Sequence, residues 1–195
     1  RTCPDGRDEL RAVLRRMADP GRAIFGLDDF LLDAAELHTV RVSKSTDRDG
    51  ILERLTAFLD AEGIHRRIAN AAQMVADEFI MNAVYNAPVD GDGVHLHRRT
   101  SRREVVTVAD DRPAEFQFAC DGRRLGLAIR DGYGSLQTST VREYLLRTLA
   151  GGEAQIEQKE GGAGMGMYFI LESVTKLAIT VAPGKATEFV AVLGL

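Results

Sequence analysis

The chain has 195 residues, 45% of them hydrophobic and 28% charged, which suits one soluble globular domain with a real core and an extra arm. Its 25 basic and 29 acidic residues leave a net charge of −4, so nothing argues for a general nucleic-acid or membrane surface. Two cysteines far apart in sequence, Cys3 and Cys120, exclude a disulfide framework and point to a reducing cytoplasm.

No signal peptide and no apolar run of about 18 residues is present, so no membrane span is expected. The chain opens on Arg1 and not Met, and is expected to be cut from something longer. Residues 1–35 read as a helical arm or interdomain connector. Leu10, Val13, Leu14 and Met17 share one helical stripe, and Pro20 with Gly21 breaks it. The apolar stretch Phe25–Leu32 is expected to pack on the main body.

His38–Ser43 alternates and suits a first strand. Ser45, Thr46 and Asp47 then offer helix-capping groups. Ile51, Leu52, Leu55, Phe58 and Leu59 form a helical stripe that runs to Gly63. A second helix is expected over 64–87, ended by Pro88. On it, Glu78, Asn82 and Asn86 are four apart and stack on one face, beside an apolar stripe of Val75, Phe79 and Ala83. A carboxylate and two carboxamides in a row are costly to bury without partners.

A loop rich in Asp and Gly follows. The basic cluster His97–Arg99 with Arg102 and Arg103 reads as a solvated loop. His95 and His97 would share a strand face, but no third ligand is evident, so zinc is not expected. Glu104–Val108 reads as a short strand. Glu115–Cys120 and Arg124–Arg130 read as a hairpin around an Asp121-Gly122 turn, which delivers Asp131 to the end of a central strand. Thr138–Leu149 reads as a helix with Val141, Leu145 and Leu149 four apart. Glycines then cluster at Gly162, Gly164 and Gly166, where bare backbone N–H groups and the start of a helix near Met167 suit phosphate oxygens. Leu177–Val181 and Thr187–Leu193 read as closing strands, joined by a turn at Pro183-Gly184-Lys185-Ala186.

The order matters: a helix with Glu78-x-x-x-Asn82-Ala83, then Asp131 with glycines after a strand, then Gly162-x-Gly164-x-Gly166 opening a helix. This resembles the ATP-binding domain shared by histidine kinases, DNA gyrase, heat-shock chaperones and mismatch-repair ATPases, and most closely the branch of anti-sigma-factor serine kinases. The resemblance covers residues 36–195. It implies an α/β (α+β) two-layer sandwich, a mixed and mostly antiparallel sheet covered on one face by helices. It also implies ATP and Mg as cofactors. Asn82 is then the metal ligand and Glu78 the catalytic base. Asp131, supported by Thr187, binds the adenine amino group. Asn86, Gly134, Gly162, Gly164 and Gly166 complete the nucleotide contacts, with a mobile lid between the glycine boxes.

The chain departs from that family at several positions. Tyr133 and Ser135 stand where the first glycine box has glycines. Tyr85 stands where many histidine kinases place a phosphate-binding lysine, and Lys185-Ala186-Thr187 replaces a common Gly-Thr. Either the loop shifts, or Tyr133 packs near the base, or nucleotide binding is weakened. The resemblance thus implies a bacterial regulatory domain that phosphorylates or sequesters a partner protein: a sigma factor, an anti-sigma antagonist or a receiver domain. These relatives commonly form homodimers. The alternatives are a degenerate interaction module of the same fold, and a histidine-kinase domain acting on another chain.

Overall fold

Alternation of apolar and polar residues places five strands in one sheet, with helices on one side of it. The computed structural model describes residues 14, 26–31, 35–137, 139–142, 146 and 170–195. The strands are β1 (His38–Val42), β2 (Ala114–Cys120), β3 (Arg124–Asp131), β4 (Lys176–Ala182) and β5 (Ala186–Gly194). Their spatial order is β1-β2-β3-β5-β4, and each neighbouring pair is antiparallel. The expected two-layer α+β sandwich is the fold observed, at the antiparallel end of the mixed sheet foreseen.

Two helices cover one face: α1 (Asp47–Ala61) and α2 (Arg66–Met81). Ile51, Leu55 and Leu59 of α1 are buried with Val75, Phe79 and Ile80 of α2 against Phe116, Phe118, Leu125, Leu127 and Ile129. Burial of each such side chain stabilises the fold by about 1.5–3 kcal/mol. Arg48 on α1 bonds Asp77 on α2, which ties the two helices together beside Glu78.

The opposite face is not bare. Leu27 opens a short 3-10 turn (Leu27–Asp29), Leu31 follows it, and both pack on Ala119, Ala128, Val190 and Val192. The described part of that apolar stretch, residues 26–31, therefore packs on the body, as its sequence implied. Gly126 makes room for it: a Cβ there would sit 2.6 Å from Leu27 Cδ1 and 3.0 Å from Leu31 Cδ1. A Gly126→Val substitution is expected to lift this turn off the sheet while the sheet itself holds. Amide exchange at Asp29 and Phe30 should then accelerate about tenfold or more.

Three local expectations change. Glu104–Val108 is no strand; it makes an isolated bridge between Thr107 and Lys44. The Val108 N–H donates to Ser43 O at 2.8 Å, so the segment extends β1's partner chain by one step only. The capping residues before α1 serve the incoming chain instead of the helix: Asp47 Oδ2 accepts from Ser43 N at 2.8 Å and Lys44 N at 3.0 Å. The helix expected over 64–87 is α-helical only to Met81, then widens into one π turn (Asn82–Asn86) closed by Ala87 N to Asn82 O at 3.0 Å. Pro88 has no N–H to continue the ladder.

The hairpin turn forms as its chemistry requires. Gly122 has φ +78, and Asp121 Oδ1 accepts from Arg123 N at 3.0 Å and Arg124 N at 2.8 Å. Residues 139–142 are helical, as are 170–173. The remainder of the expected helix over 138–149, Leu10, Val13 and Met17 of the arm, and Gly162, Gly164 and Gly166 lie outside the described residues.

Candidate functional site

The π turn and the end of β3 meet at a cavity of about 220 Å³. Glu78, Asn82 and Asn86 line it from the helix, Asp131 and Thr187 from the sheet. The side chains on the helix are a hydrogen-bonded ladder. Asn82 Nδ2 donates to Glu78 Oε1 at 2.9 Å, and Asn86 Nδ2 donates to Asn82 Oδ1 at 2.5 Å. The second lone pair of Asn82 Oδ1 and the whole of Glu78 Oε2 remain without a hydrogen bond among the described residues. π turns recur at functional sites, and this one carries the two asparagines.

Asp131 and Thr187 are directly paired across β3 and β5, so the register alone brings them together. Their odd-numbered neighbours Ile129 and Phe189 are also paired and line the same cavity. Asp131 Oδ1 accepts from Tyr133 N at 2.8 Å and Gly134 N at 3.1 Å, which closes the turn after β3. Thr187 Oγ1 is buried and meets no hydrogen-bond criterion among the described residues, although it lies near enough to Asp131 to favour the charged acid.

Two carboxyl groups here are perturbed. Burial pushes the Glu78 carboxyl above the usual glutamate value, while the Asn82 bond and the charge of Arg102 pull the other way. Burial likewise raises Asp131 against the pull of the Tyr133 and Gly134 N–H groups. Raised carboxyls in a cleft mark a candidate site for proton transfer and binding.

The residues that break the expected motif pattern have structural roles. Tyr133 does not line the cavity. Its ring is 4% exposed, its hydroxyl oxygen accepts from Ala109 N at 3.1 Å, and Arg112 lies 5.6 Å from its centroid. Tyr85 turns away as well: its hydroxyl donates to Glu104 O at 2.7 Å, and Arg102 lies 5.7 Å from its ring centroid. Both tyrosines fasten the loop between the π turn and β2. Ser135 lines the cavity, and its hydroxyl donates to Ala87 O at 2.7 Å, binding a carbonyl at the end of the helix. Gly134 stands behind the wall, at φ +60, against the backbone of the β4–β5 turn.

Sequence reasoning missed His95, Arg98, Gln137 and Thr140, all of which face the cavity. The basic cluster at 97–103 is therefore not wholly solvated: Arg98 lines the site and Arg102 sits beside Tyr85. The sequence singled out His95 only beside His97 and Arg98 only within the basic cluster, and no periodicity marked either as facing a cavity.

A scan against protein-family models gives no match, and a search of curated proteins gives none. Among solved structures, a chain from the crystal structure of the SiaB-SiaC complex from Pseudomonas aeruginosa matches with a TM-score of 0.51. It is 16% identical, and the match covers 96% of this chain and 99% of that one. The likeness is one of fold. No helix among the described residues is long and apolar enough to cross a membrane.

Proposed function

We propose that this is an ATP- and Mg-binding regulatory domain, of the kind found in anti-sigma-factor serine kinases, that acts on a partner protein. The observation that carries the reading is convergence. Glu78, Asn82, Asp131 and Thr187 come from separate elements, yet all line one cavity, while Tyr133 stays outside it.

The residues present fit the group. Asn82 Oδ1 offers a hard oxygen to Mg²⁺, which takes few protein ligands and otherwise uses phosphates and water. Asp131 offers a carboxylate for an amino group, and buried Thr187 Oγ1 offers a polar atom that still lacks a hydrogen-bond partner among the described residues. Bound ATP supplies the transferable phosphoryl group. Glu78 Oε2 takes the proton of an attacking Ser or Thr hydroxyl, and the bond from Asn82 Nδ2 to Oε1 orients the carboxylate for it. Its raised pKa makes it a better base than an exposed glutamate.

The protein partner is part of this proposal too; the structural neighbour comes from a two-protein complex. Calorimetric titration with Mg²⁺ and a non-hydrolysable ATP analogue is the test. Wild type should bind, and Asn82→Ala should weaken Mg-dependent binding about tenfold or more. No heat at about 1 mM nucleotide leaves only a non-catalytic interaction module of this fold.

A further inference from the structure

With Tyr85 turned to the loop, the helix offers no cation to a polyphosphate. The cavity's charged side chains from the helix and sheet are the carboxyls of Glu78 and Asp131. Those would repel a nucleotide tail unless a positive group balanced them. The described wall contains one arginine, Arg98. It makes no ion pair or hydrogen bond among the described residues, so its guanidinium keeps its donors for a ligand. His95, three residues earlier, also faces the cavity, and its Nδ1 is buried without a hydrogen-bond partner among the described residues.

The loop that carries these two residues has no regular structure but is fastened along its length. Leu96 N donates to Pro88 O at 3.0 Å, and Val89 bridges His95. Further on, Tyr85 holds Glu104, Ser45 Oγ accepts from Val106 N at 3.1 Å, and Tyr133 holds Ala109. A guanidinium on a pinned loop loses less freedom on binding than one on a loose loop.

We propose that Arg98 is the polyphosphate contact of the nucleotide site, and that the tyrosine-pinned loop replaces the lysine that histidine kinases carry on the helix. This rests on the nucleotide reading above. Arg98 donates two N–H groups to phosphate oxygens, a geometry that lysine lacks. His95 stands in the same wall as a second polar contact.

The test is calorimetric titration of Mg²⁺ with the non-hydrolysable triphosphate AMP-PNP, and in parallel with AMP. The proteins are wild type, Arg98→Ala, Arg98→Lys and, as a control, Arg99→Ala. Arg98→Ala should weaken AMP-PNP about tenfold or more and AMP by less than about threefold. Arg98→Lys should recover part of the loss, and Arg99→Ala should bind as wild type does. Added salt should weaken wild type more steeply than Arg98→Ala. Arg98 is exposed, so its variants should melt with wild type. Equal losses for AMP and AMP-PNP, or no loss for either, overturn the role of Arg98 and leave the nucleotide reading standing. A wild type that binds neither ligand overturns both.

Discussion

On the proposed kinase reading, replacing Glu78 by Gln is expected to cut phosphoryl transfer about 10²–10⁴-fold while making the apoprotein more stable. The first effect follows from the loss of the only hydrogen-bond-poised carboxylate on the helix ladder. Gln keeps an oxygen to accept from Asn82 Nδ2, so the ladder survives and nucleotide binding should change by less than about threefold. The second effect follows from burial. The folded state raises the Glu78 pKa, so between the usual glutamate value and the raised one the folded chain binds more protons than the unfolded chain. Stability then falls as pH rises through that window. Gln carries no charge to desolvate, so Glu78→Gln should melt about 2–4 °C above wild type at neutral pH. The gap should close as pH drops below the usual glutamate value, where both side chains are neutral. Asp131 titrates with the same sign, so the variant keeps part of the wild-type slope. Melting curves from pH 4 to 8, about one unit apart, measure this. A gap that is constant with pH would mean that the carboxylate is not desolvated, and unchanged transfer would remove Glu78 from the mechanism.

The parts of this fold that were legible in the sequence are those with a period. Leu125, Leu127 and Ile129 alternate with Gly126 and Ala128, and the structure puts the first set under the helices and the second under Leu27 and Leu31. The Asp121-Gly122 turn marked the β2–β3 hairpin, which carries β3 to its end at Asp131; the pairing of Asp131 with Thr187 belongs to the separate β3–β5 register. The helix ladder was legible for the same reason: a spacing of four has one geometric meaning. What lacked a period was misread. The 88–113 loop reads as polar connection, yet its order comes from single long-range bonds by Tyr85, Tyr133 and Ser45, which leave no repeating trace. The same residues looked like damage to the first glycine box and to the helix. Tyr133 and Tyr85 are instead fasteners that point away from the cavity, and Ser135 binds a helix-end carbonyl across 48 residues. A comparison of motif letters shows where a residue departs; only the fold shows which way it points.

Gly134→Ala is expected to cost more than any other glycine-to-alanine change among the described residues, about 3–5 kcal/mol, or roughly 6–20 °C in melting temperature. Two causes add. The residue has φ +60, which an L side chain adopts at a cost of about 1 kcal/mol. A Cβ there would also run into Ala182 O and come within 2.8 Å of both Lys185 N and Ala186 N. These are backbone atoms of the turn joining β4 to β5, held by Lys185 N to Ala182 O at 2.9 Å and Gly184 N to Gly134 O at 3.2 Å, so they cannot yield without opening the turn. Gly184→Ala provides the internal control. Gly184 has φ +68 but no atom within 4 Å of its Cβ position, so it should lose only the backbone share, about 1 kcal/mol. The difference between the two variants isolates the steric share. Because the Gly134 N–H also donates to Asp131 Oδ1, on the proposed nucleotide reading any folded Gly134→Ala protein should bind nucleotide more weakly, whereas Gly184→Ala should bind normally. Equal melting temperatures for the two variants would show that the β4–β5 turn does not press on the site from behind, and Asp131 would then owe its position to the strand register alone.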